Sequence, residues 1–289
     1  MAATLPDVFD AKEYLACWSD LAGKTPEELQ EHYEAFGINE GRRANGVITR
    51  KDFAALVPSD SDALEIGPFC SPLLRGPRAR FFDVLTTAEL RDRGRQLGTD
   101  PDNAPDIDFV SPVGDLSIVD QTFDNVISSH CIEHQPDLVA HLQQVARILQ
   151  PGGRYFLLVP DKRFCFDALI PESSVAEVLD AHVEGRTVHR LQSVIEHRAL
   201  TTHNDCKAHW RGEHGGFPAA QVARTAQAVQ EFTAAAGGYV DVHAWQFTPS
   251  SMTDLIQVLH ELGHVPFALE RMYPTRMDDL EFWMVLRKP

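Results

Sequence analysis

The chain has 289 residues, of which 44% are hydrophobic, a share that supports a buried core and argues against disorder. Its formal net charge of −16 argues against a general nucleic-acid binder or a protein that docks on anionic lipid, since both need a basic surface. Five cysteines without CxxC spacing, no signal-peptide pattern and no membrane-length apolar run predict a cytoplasmic protein without a disulfide framework, structural zinc or membrane contact.

The N-terminal stretch predicts short helices. TPEELQEHYEAFG begins with a Thr N-cap and ends on Gly37, and the turn-rich INEGRRANG follows it. We therefore expect residues 1–57 to form a helical appendix outside the main domain, which spans 58–289. Because its helices precede the alternating pattern described next, we expect this appendix to be dispensable for ligand binding.

Strands and helices alternate in the following hundred residues. An amphipathic helix over Pro136–Gln150 ends at Pro151-Gly152-Gly153. The predicted strands are Ala63–Ile66, Ala79–Leu85, Asp106–Val110, Phe123–Ser129 and Arg154–Val159. This rhythm predicts an α/β fold with a parallel sheet and right-handed crossovers.

The C-terminal third departs from this rhythm. Residues from about 161 to 240 are helical and rich in histidine, which predicts a lid inserted over the ligand edge of the sheet. A capped helix over Thr248–Gly263 follows it. The last two strands, VPFALE and LEFWMVLRK, are expected to pair antiparallel at the edge of the sheet.

The residues that follow the first three strands suit a nucleoside ligand, because ligands of open α/β sheets lie beyond the carboxyl ends of the strands. Gly67 lets the backbone approach the ligand, and Glu65 is an acid for a cationic amino group. Asp83 is placed to accept both hydroxyls of a ribose. Asp115 and Leu116 are expected to flank an adenine.

The stretch FDNVISSHCIEHQPDLVAHLQQVARILQPGGRYFLLVPD resembles the fourth and fifth strand region of class I S-adenosylmethionine (SAM)-dependent methyltransferases, including the PGG turn. The resemblance covers Ala63–Asp161 and resumes over Val242–Lys288. It implies a Rossmann-like, seven-stranded methyltransferase sheet and SAM as cofactor. The residues expected to bind SAM are Glu65, Gly67, Pro68, Asp83, Asp115, Leu116 and Ser129. GPFCS stands where the family usually has GxGxG.

Other segments resemble a bacterial branch of methyltransferases found near sugar and polysaccharide synthesis. They are PDKRFCFD, HNDCKAHWRGEHG and DVHAWQFTPSS, and HYEAFGINEGR resembles small modules of bacterial glycan proteins. The resemblance implies O-methylation of a sugar or glycan-like acceptor, either a small molecule or an oligosaccharide.

His130, Glu133 and His134 follow the fourth strand with a spacing that places them on one face of a helical turn. Three N and O ligands from one turn can hold a divalent cation with open positions. The pattern is similar to the ExxEH motif of metal-dependent O-methyltransferases, with His130 in place of the first Glu. The same resemblance implies His243 as a fourth ligand, and Mg²⁺ or Mn²⁺ as the metal.

Glu133 and His134 are the leading catalytic candidates, and His203 and His209 in the lid are further candidates for a base or a hydroxyl-binding group. The alternative for the lid histidines is a polar cluster in which they satisfy one another. One rival function is a metal-independent methyltransferase that acts on a nitrogen or phenol with His134 or His203 as base. Another is a non-catalytic, methyltransferase-like partner subunit, and a homo-oligomer is also possible.

Overall fold

The structure is a computed structural model that describes residues 4–216 and 219–289, so the first three residues of the predicted appendix and two residues of the lid lie outside it. Within these ranges, no helix has both the length and the apolar character that a membrane span requires.

A seven-stranded sheet organises the chain in the order β3-β2-β1-β4-β5-β7-β6, with β7 antiparallel to both of its neighbours and the other paired strands of β1–β5 parallel. This confirms the predicted Rossmann-like α/β fold and the antiparallel pairing of the last two strands. The strands are β1 Ala63–Ile66, β2 Ala79–Asp83, β3 Phe109–Val110, β4 Phe123–Ser129, β5 Leu149–Pro160, β6 Ala268–Tyr273 and β7 Glu281–Arg287.

The helices are α1 Ala11–Cys17, α2 Pro26–His32, α3 Arg50–Ala54, α4 Thr87–Leu97, α5 Leu138–Ile148, α6 Val175–Glu184, α7 Leu191–Leu200, α8 Cys206–Trp210, α9 Gln221–Ala234 and α10 Pro249–Glu261. Several begin with the cap that the sequence provides; Thr25 and Glu28, for example, form a reciprocal capping box on α2. The predicted helix ending at the PGG turn stops at Ile148, because the PGG residues continue into β5.

The main core lies between the sheet and the helices α5, α6 and α10. Residues of β4 and β5 such as Val126 and Leu157 are fully buried in it, together with Leu142 and Ile256 of the covering helices. Close packing of this core holds the carboxyl ends of the strands in position, and the candidate site lies at those ends.

The opposite face of the sheet is covered by the N-terminal segment. Phe53 of α3 is fully buried, and its ring stacks on Trp283 of β7 at 5.3 Å and meets Phe156 of β5 edge-on at 5.7 Å. By contrast, α1 and α2 form a small cluster of their own around Tyr14 and Tyr33. The last helix of the predicted appendix, α3, therefore covers a face of the sheet. That the segment is dispensable for ligand binding stays a prediction.

The predicted lid contains α6–α9. Of these helices, α6 packs in the main core through Val178 and Ala181, whereas α7 and α9 pack around a cluster of their own that includes Val194 and Ala228.

The lid is anchored to the main domain at both ends. Asp161 N–H donates at 2.8 Å to the carbonyl of Leu280 where the lid begins, and Ala244 N–H, just past the end of the lid, donates at 2.8 Å to the carbonyl of Glu133. The lid is thus tied by backbone hydrogen bonds to the residue before β7 and to the segment that follows β4.

We predict that Phe53→Ala lowers the free energy of unfolding by about 3–5 kcal/mol, because it leaves a cavity between α3 and the sheet. The matched control is Phe36→Ala, which removes the same ring from a side chain that is 57% exposed and should change stability by less than about 0.5 kcal/mol. Urea denaturation of both variants measures the difference. Equal effects would show that α3 does not belong to the core.

Candidate active site

Gly67 follows β1 in a conformation that a side chain would obstruct. Its φ is +69°, and a Cβ atom at this position would lie 2.5 Å from Sγ of Cys131. The next loop residue but one, Phe69, also has a positive φ of +46°, although it carries a side chain. The sequence GPFCS therefore keeps a glycine-like backbone path with only one of the usual glycines.

The carboxylate of Glu65 is engaged by the loop that follows it. It accepts hydrogen bonds from the backbone N–H groups of Leu73, at 2.9 Å, and Leu74, at 2.8 Å. Burial raises its pKa to about 7, against the opposing effect of these bonds. Glu65 thus braces the loop between β1 and β2, and Pro68 at the start of that loop is buried.

Asp83 ends β2 with its side chain 7% exposed. Its carboxylate accepts a hydrogen bond from Leu85 N–H at 3.0 Å, and the backbone N–H of Phe69 also faces it. Burial raises the pKa of this carboxyl, while those N–H groups oppose the rise. Asp83 therefore lies between the ends of β1 and β2, where the ribose prediction needs it.

Asp115 and Leu116 differ from the prediction in their roles. Asp115 accepts hydrogen bonds from Ser117 N–H at 2.8 Å and from Gln144 Nε2 at 3.1 Å, and the bonds from Ser117 lower its pKa. Leu116 is fully buried in the main core. Its side chain is therefore not available to flank an adenine, which corrects that expectation.

The HxxEH segment surrounds a buried carboxylate. Glu133 is 0% exposed, and both of its carboxylate oxygens lack a hydrogen-bond partner among the described residues. Three imidazole nitrogens point at the same oxygen, Oε1: Nδ1 of His130 at 3.8 Å and Nε2 of His134 and of His243 at 3.9 Å each. The structure thus brings together all four residues of the predicted metal set.

Each of these imidazoles is held by a carboxylate on its other nitrogen. Nε2 of His130 lies 2.7 Å from Glu281, Nδ1 of His134 lies 3.0 Å from Asp241, and Nδ1 of His243 lies 2.6 Å from Asp167. Sequence reasoning missed all three acids, because they lie far from the HxxEH motif in the chain. The arrangement fixes the rotation of each ring and directs its free nitrogen toward Glu133.

The same contacts set the charge of the site. Burial opposes protonation of His134, but the 3.0 Å ion-pair contact with Asp241 and the nearby Glu133 outweigh it and raise its pKa. The same contact lowers the pKa of Asp241 to about 2. His130 is shifted upward in the same way through Glu281. The acids behind His130 and His134 therefore favour the protonated form of these two imidazoles.

The lid histidines predicted as catalytic lie in a separate cluster. The rings of His203 and His209 stack at 4.2 Å, and His209 Nδ1 contacts Nδ1 of His214 at 3.0 Å. Nε2 of His203 contacts the carbonyl of Glu213 at 2.8 Å, and Nδ1 of the same ring accepts from the N–H of Asp205 at 3.2 Å. Nε2 of His209 contacts the carbonyl of His203 at 3.0 Å. Within the described parts of the chain, no contact joins them to Glu133, so this corrects their assignment to catalysis: they satisfy one another.

Ser129 and Arg163 complete the polar groups near the strand ends. Ser129, at the end of β4, is contacted by the guanidinium of Arg50 from α3. Arg163 forms a fork on the buried Asp161, with Nη2 to Oδ2 at 2.6 Å. Arg163 is therefore held by its near neighbour Asp161.

Comparisons with known proteins agree with this architecture. Residues 66–157, from the end of β1 through most of β5, match the family model described as a methyltransferase domain. The match covers less than half of the chain, and it shows that this part of the sheet is similar to a methyltransferase domain. No curated protein sequence matches the chain.

Three solved structures illustrate its similarity to other proteins. The mitomycin 7-O-methyltransferase MmcR is 14% identical over 94% of this chain and 60% of its own, with a TM-score of 0.40. The CcbJ methyltransferase from Streptomyces caelestis is 10% identical over 83% and 94%, with a TM-score of 0.43. A SAM-dependent methyltransferase from Clostridium acetobutylicum is 10% identical over 90% and 98%, with a TM-score of 0.41. The chain thus spans 60% of the length of the first of these proteins.

We predict that Gly67→Ala destabilises the protein more than Gly98→Ala does. Both glycines have a φ near +70°, but a Cβ atom at Gly98 meets nothing within 4 Å. The left-handed backbone alone costs about 1–2 kcal/mol, and Gly67→Ala adds the clash with Cys131. Urea unfolding measures both, and adding Cys131→Ala to Gly67→Ala should recover the extra loss. Equal costs at the two glycines would contradict the clash.

Proposed function

We propose that the protein is a metal-assisted O-methyltransferase that transfers a methyl group from SAM to a hydroxyl of a sugar or glycan-like acceptor. One observation carries the metal: Glu133 is fully buried, its oxygens are unpartnered, and three carboxylate-backed imidazoles face it. The sugar acceptor is supported by the resemblance of the lid segments to enzymes of glycan synthesis.

The residues at this site fit a divalent cation. A buried, unpaired carboxylate is costly, and a cation among its neighbours removes that cost. Glu133, His134 and His243 offer ligand atoms that all lie within 4.8 Å of one another, against about 3–3.5 Å between atoms that bind one ion at about 2.1 Å. His130 lies near Glu133, with Nδ1 at 3.8 Å from Oε1, but is not part of this group of three, so it would have to move closer to act as the fourth ligand.

The donor set bears on which metal binds. Mg²⁺ prefers oxygen ligands and retains its waters, whereas imidazole suits Mn²⁺, Fe²⁺, Co²⁺ and Zn²⁺. With three nitrogens and one carboxylate, Mn²⁺ fits better than Mg²⁺ of the two metals expected from the sequence. We therefore propose a metal that tolerates nitrogen ligands.

The division of labour follows from these positions. Asp83 holds the ribose of SAM, and Gly67 allows the cofactor to approach the backbone. A divalent cation lowers the pKa of a hydroxyl group bound to it, which suits a sugar hydroxyl. Glu133 and the imidazoles hold that cation, while the lid from Asp161 to Tyr239 closes over the acceptor and excludes water.

A metal-independent reaction is the second candidate, and one contact favours it. His134 Nδ1 is held by Asp241 at 3.0 Å, which leaves Nε2 directed into the site. An acid that orients a histidine in this way prepares its free nitrogen as a general base. In this alternative, His134 takes the proton from a phenol or amine acceptor.

We predict that Asp83→Ala weakens SAM binding about tenfold or more, because a carboxylate that grips ribose hydroxyls makes charge-assisted hydrogen bonds worth about 1.5–3 kcal/mol each. Asp92→Ala is a control, since Asp92 is an exposed acid of α4. Isothermal titration calorimetry compares the two variants. Wild-type affinity in Asp83→Ala would refute the placement of the ribose.

We predict that the purified protein holds one equivalent of a divalent transition metal, and that Glu133→Gln loses it. Chelation should abolish methyl transfer to a hydroxyl acceptor but leave SAM binding within about twofold, because SAM uses other residues. Elemental analysis measures the metal, calorimetry measures SAM, and a panel of sugars and phenols tests turnover.

The control for the metal experiment is His260→Gln, which removes an exposed imidazole of α10 and should keep the full metal content. Turnover that survives chelation, with no metal in the wild-type protein, would establish the metal-independent alternative with His134 as base. SAM binding with no turnover on any acceptor would instead indicate the non-catalytic subunit.

A further inference from the structure

Arg50 brings a positive charge from the N-terminal segment to the strand ends. Its guanidinium contacts the hydroxyl of Ser129, and its Nε lies 3.2 Å from Oε1 of Glu281. The side chain remains 46% exposed, whereas that of Glu281 is 3% exposed. Phe53, one turn further along α3, is anchored on Trp283, so the helix holds Arg50 in place.

The strand order determines where the cofactor runs. β1 lies between β2 and β4, so a ligand held at Asp83 on β2 crosses Gly67 on β1 and reaches Ser129 on β4. If the ribose lies at Asp83, the methionine portion of SAM points toward Ser129. This step rests on the cofactor placement given under the proposed function.

The charge at that end of the path is unfavourable for a carboxylate. The buried carboxylates of Glu133 and Glu281 lie at this edge, and a carboxylate repels an incoming anion unless a cation stands between them. Methionine nevertheless carries a carboxylate, which needs a cation or several N–H donors. Arg50 has donors to spare, because a guanidinium offers five and these contacts occupy only two of its nitrogens.

We propose that Arg50 is the residue that binds the carboxylate of SAM, and that the N-terminal segment therefore completes the cofactor site. In the structure its guanidinium contacts Glu281 and Ser129. These contacts orient the guanidinium and leave other N–H donors available for a carboxylate. The cofactor carboxylate joins these partners when SAM binds.

The test compares SAM with decarboxylated SAM, which keeps the sulfonium, amino group and nucleoside but lacks the carboxylate. Isothermal titration calorimetry is carried out in the presence of a chelator, so the outcome does not depend on the proposed metal. Arg50→Gln should weaken SAM binding about 10- to 100-fold and change the affinity for decarboxylated SAM by less than about twofold. Arg50→Lys, which keeps the charge, should recover most of the loss.

Lys51→Gln is the matched control, because it removes the same charge from the adjacent, exposed residue and should leave both affinities unchanged. Thermal unfolding verifies that the variants are folded. The proposal is overturned if Arg50→Gln weakens both ligands equally, which would mean that Arg50 only shapes the pocket through Glu281, or if it weakens neither. Asp83→Ala should weaken both ligands, so a failure of the cofactor placement is recognised separately.

Discussion

The buried carboxylate of Glu133 is the constraint around which the site is built. A fully buried carboxylate without a hydrogen-bond donor costs free energy, and among the described residues Glu133 has none. The surrounding structure compensates by aiming three imidazoles at it, each fixed from behind by an acid. Those acids come from the lid and from β7, so distant parts of the chain converge to support one side chain.

Much of the architecture was predictable from local patterns. Apolar runs predicted the positions of the strands, and Thr caps predicted where several helices begin. The HxxEH spacing predicted a cluster of His130, Glu133 and His134. These features depend on neighbours in the sequence, which is why they could be read directly. His243 entered only through family resemblance, and the structure indeed places its Nε2 3.9 Å from Glu133.

What could not be predicted depends on contacts between distant residues. Leu116 is an apolar residue at the position expected for an adenine contact. Its side chain is instead buried in the main core, where α5 packs against it. Glu65 was expected to face the cofactor. Its carboxylate instead accepts hydrogen bonds from the backbone N–H groups of Leu73 and Leu74 in the following loop. The N-terminal segment looked separable because its pattern differs from the sheet, yet the aromatic contacts of Phe53 make α3 part of the fold.

The hydrogen bond from Ala244 N–H to the carbonyl of Glu133 ties the end of the lid to the segment of the HxxEH motif. The same stretch of chain supplies His243 as a proposed ligand and Asp241 as the support of His134. If the proposed cation binds there, opening the lid at this end would separate it from part of its ligand set. By thermodynamic linkage, a cation that prefers the assembled site favours the closed lid, and lid closure raises the affinity for the cation by the same factor.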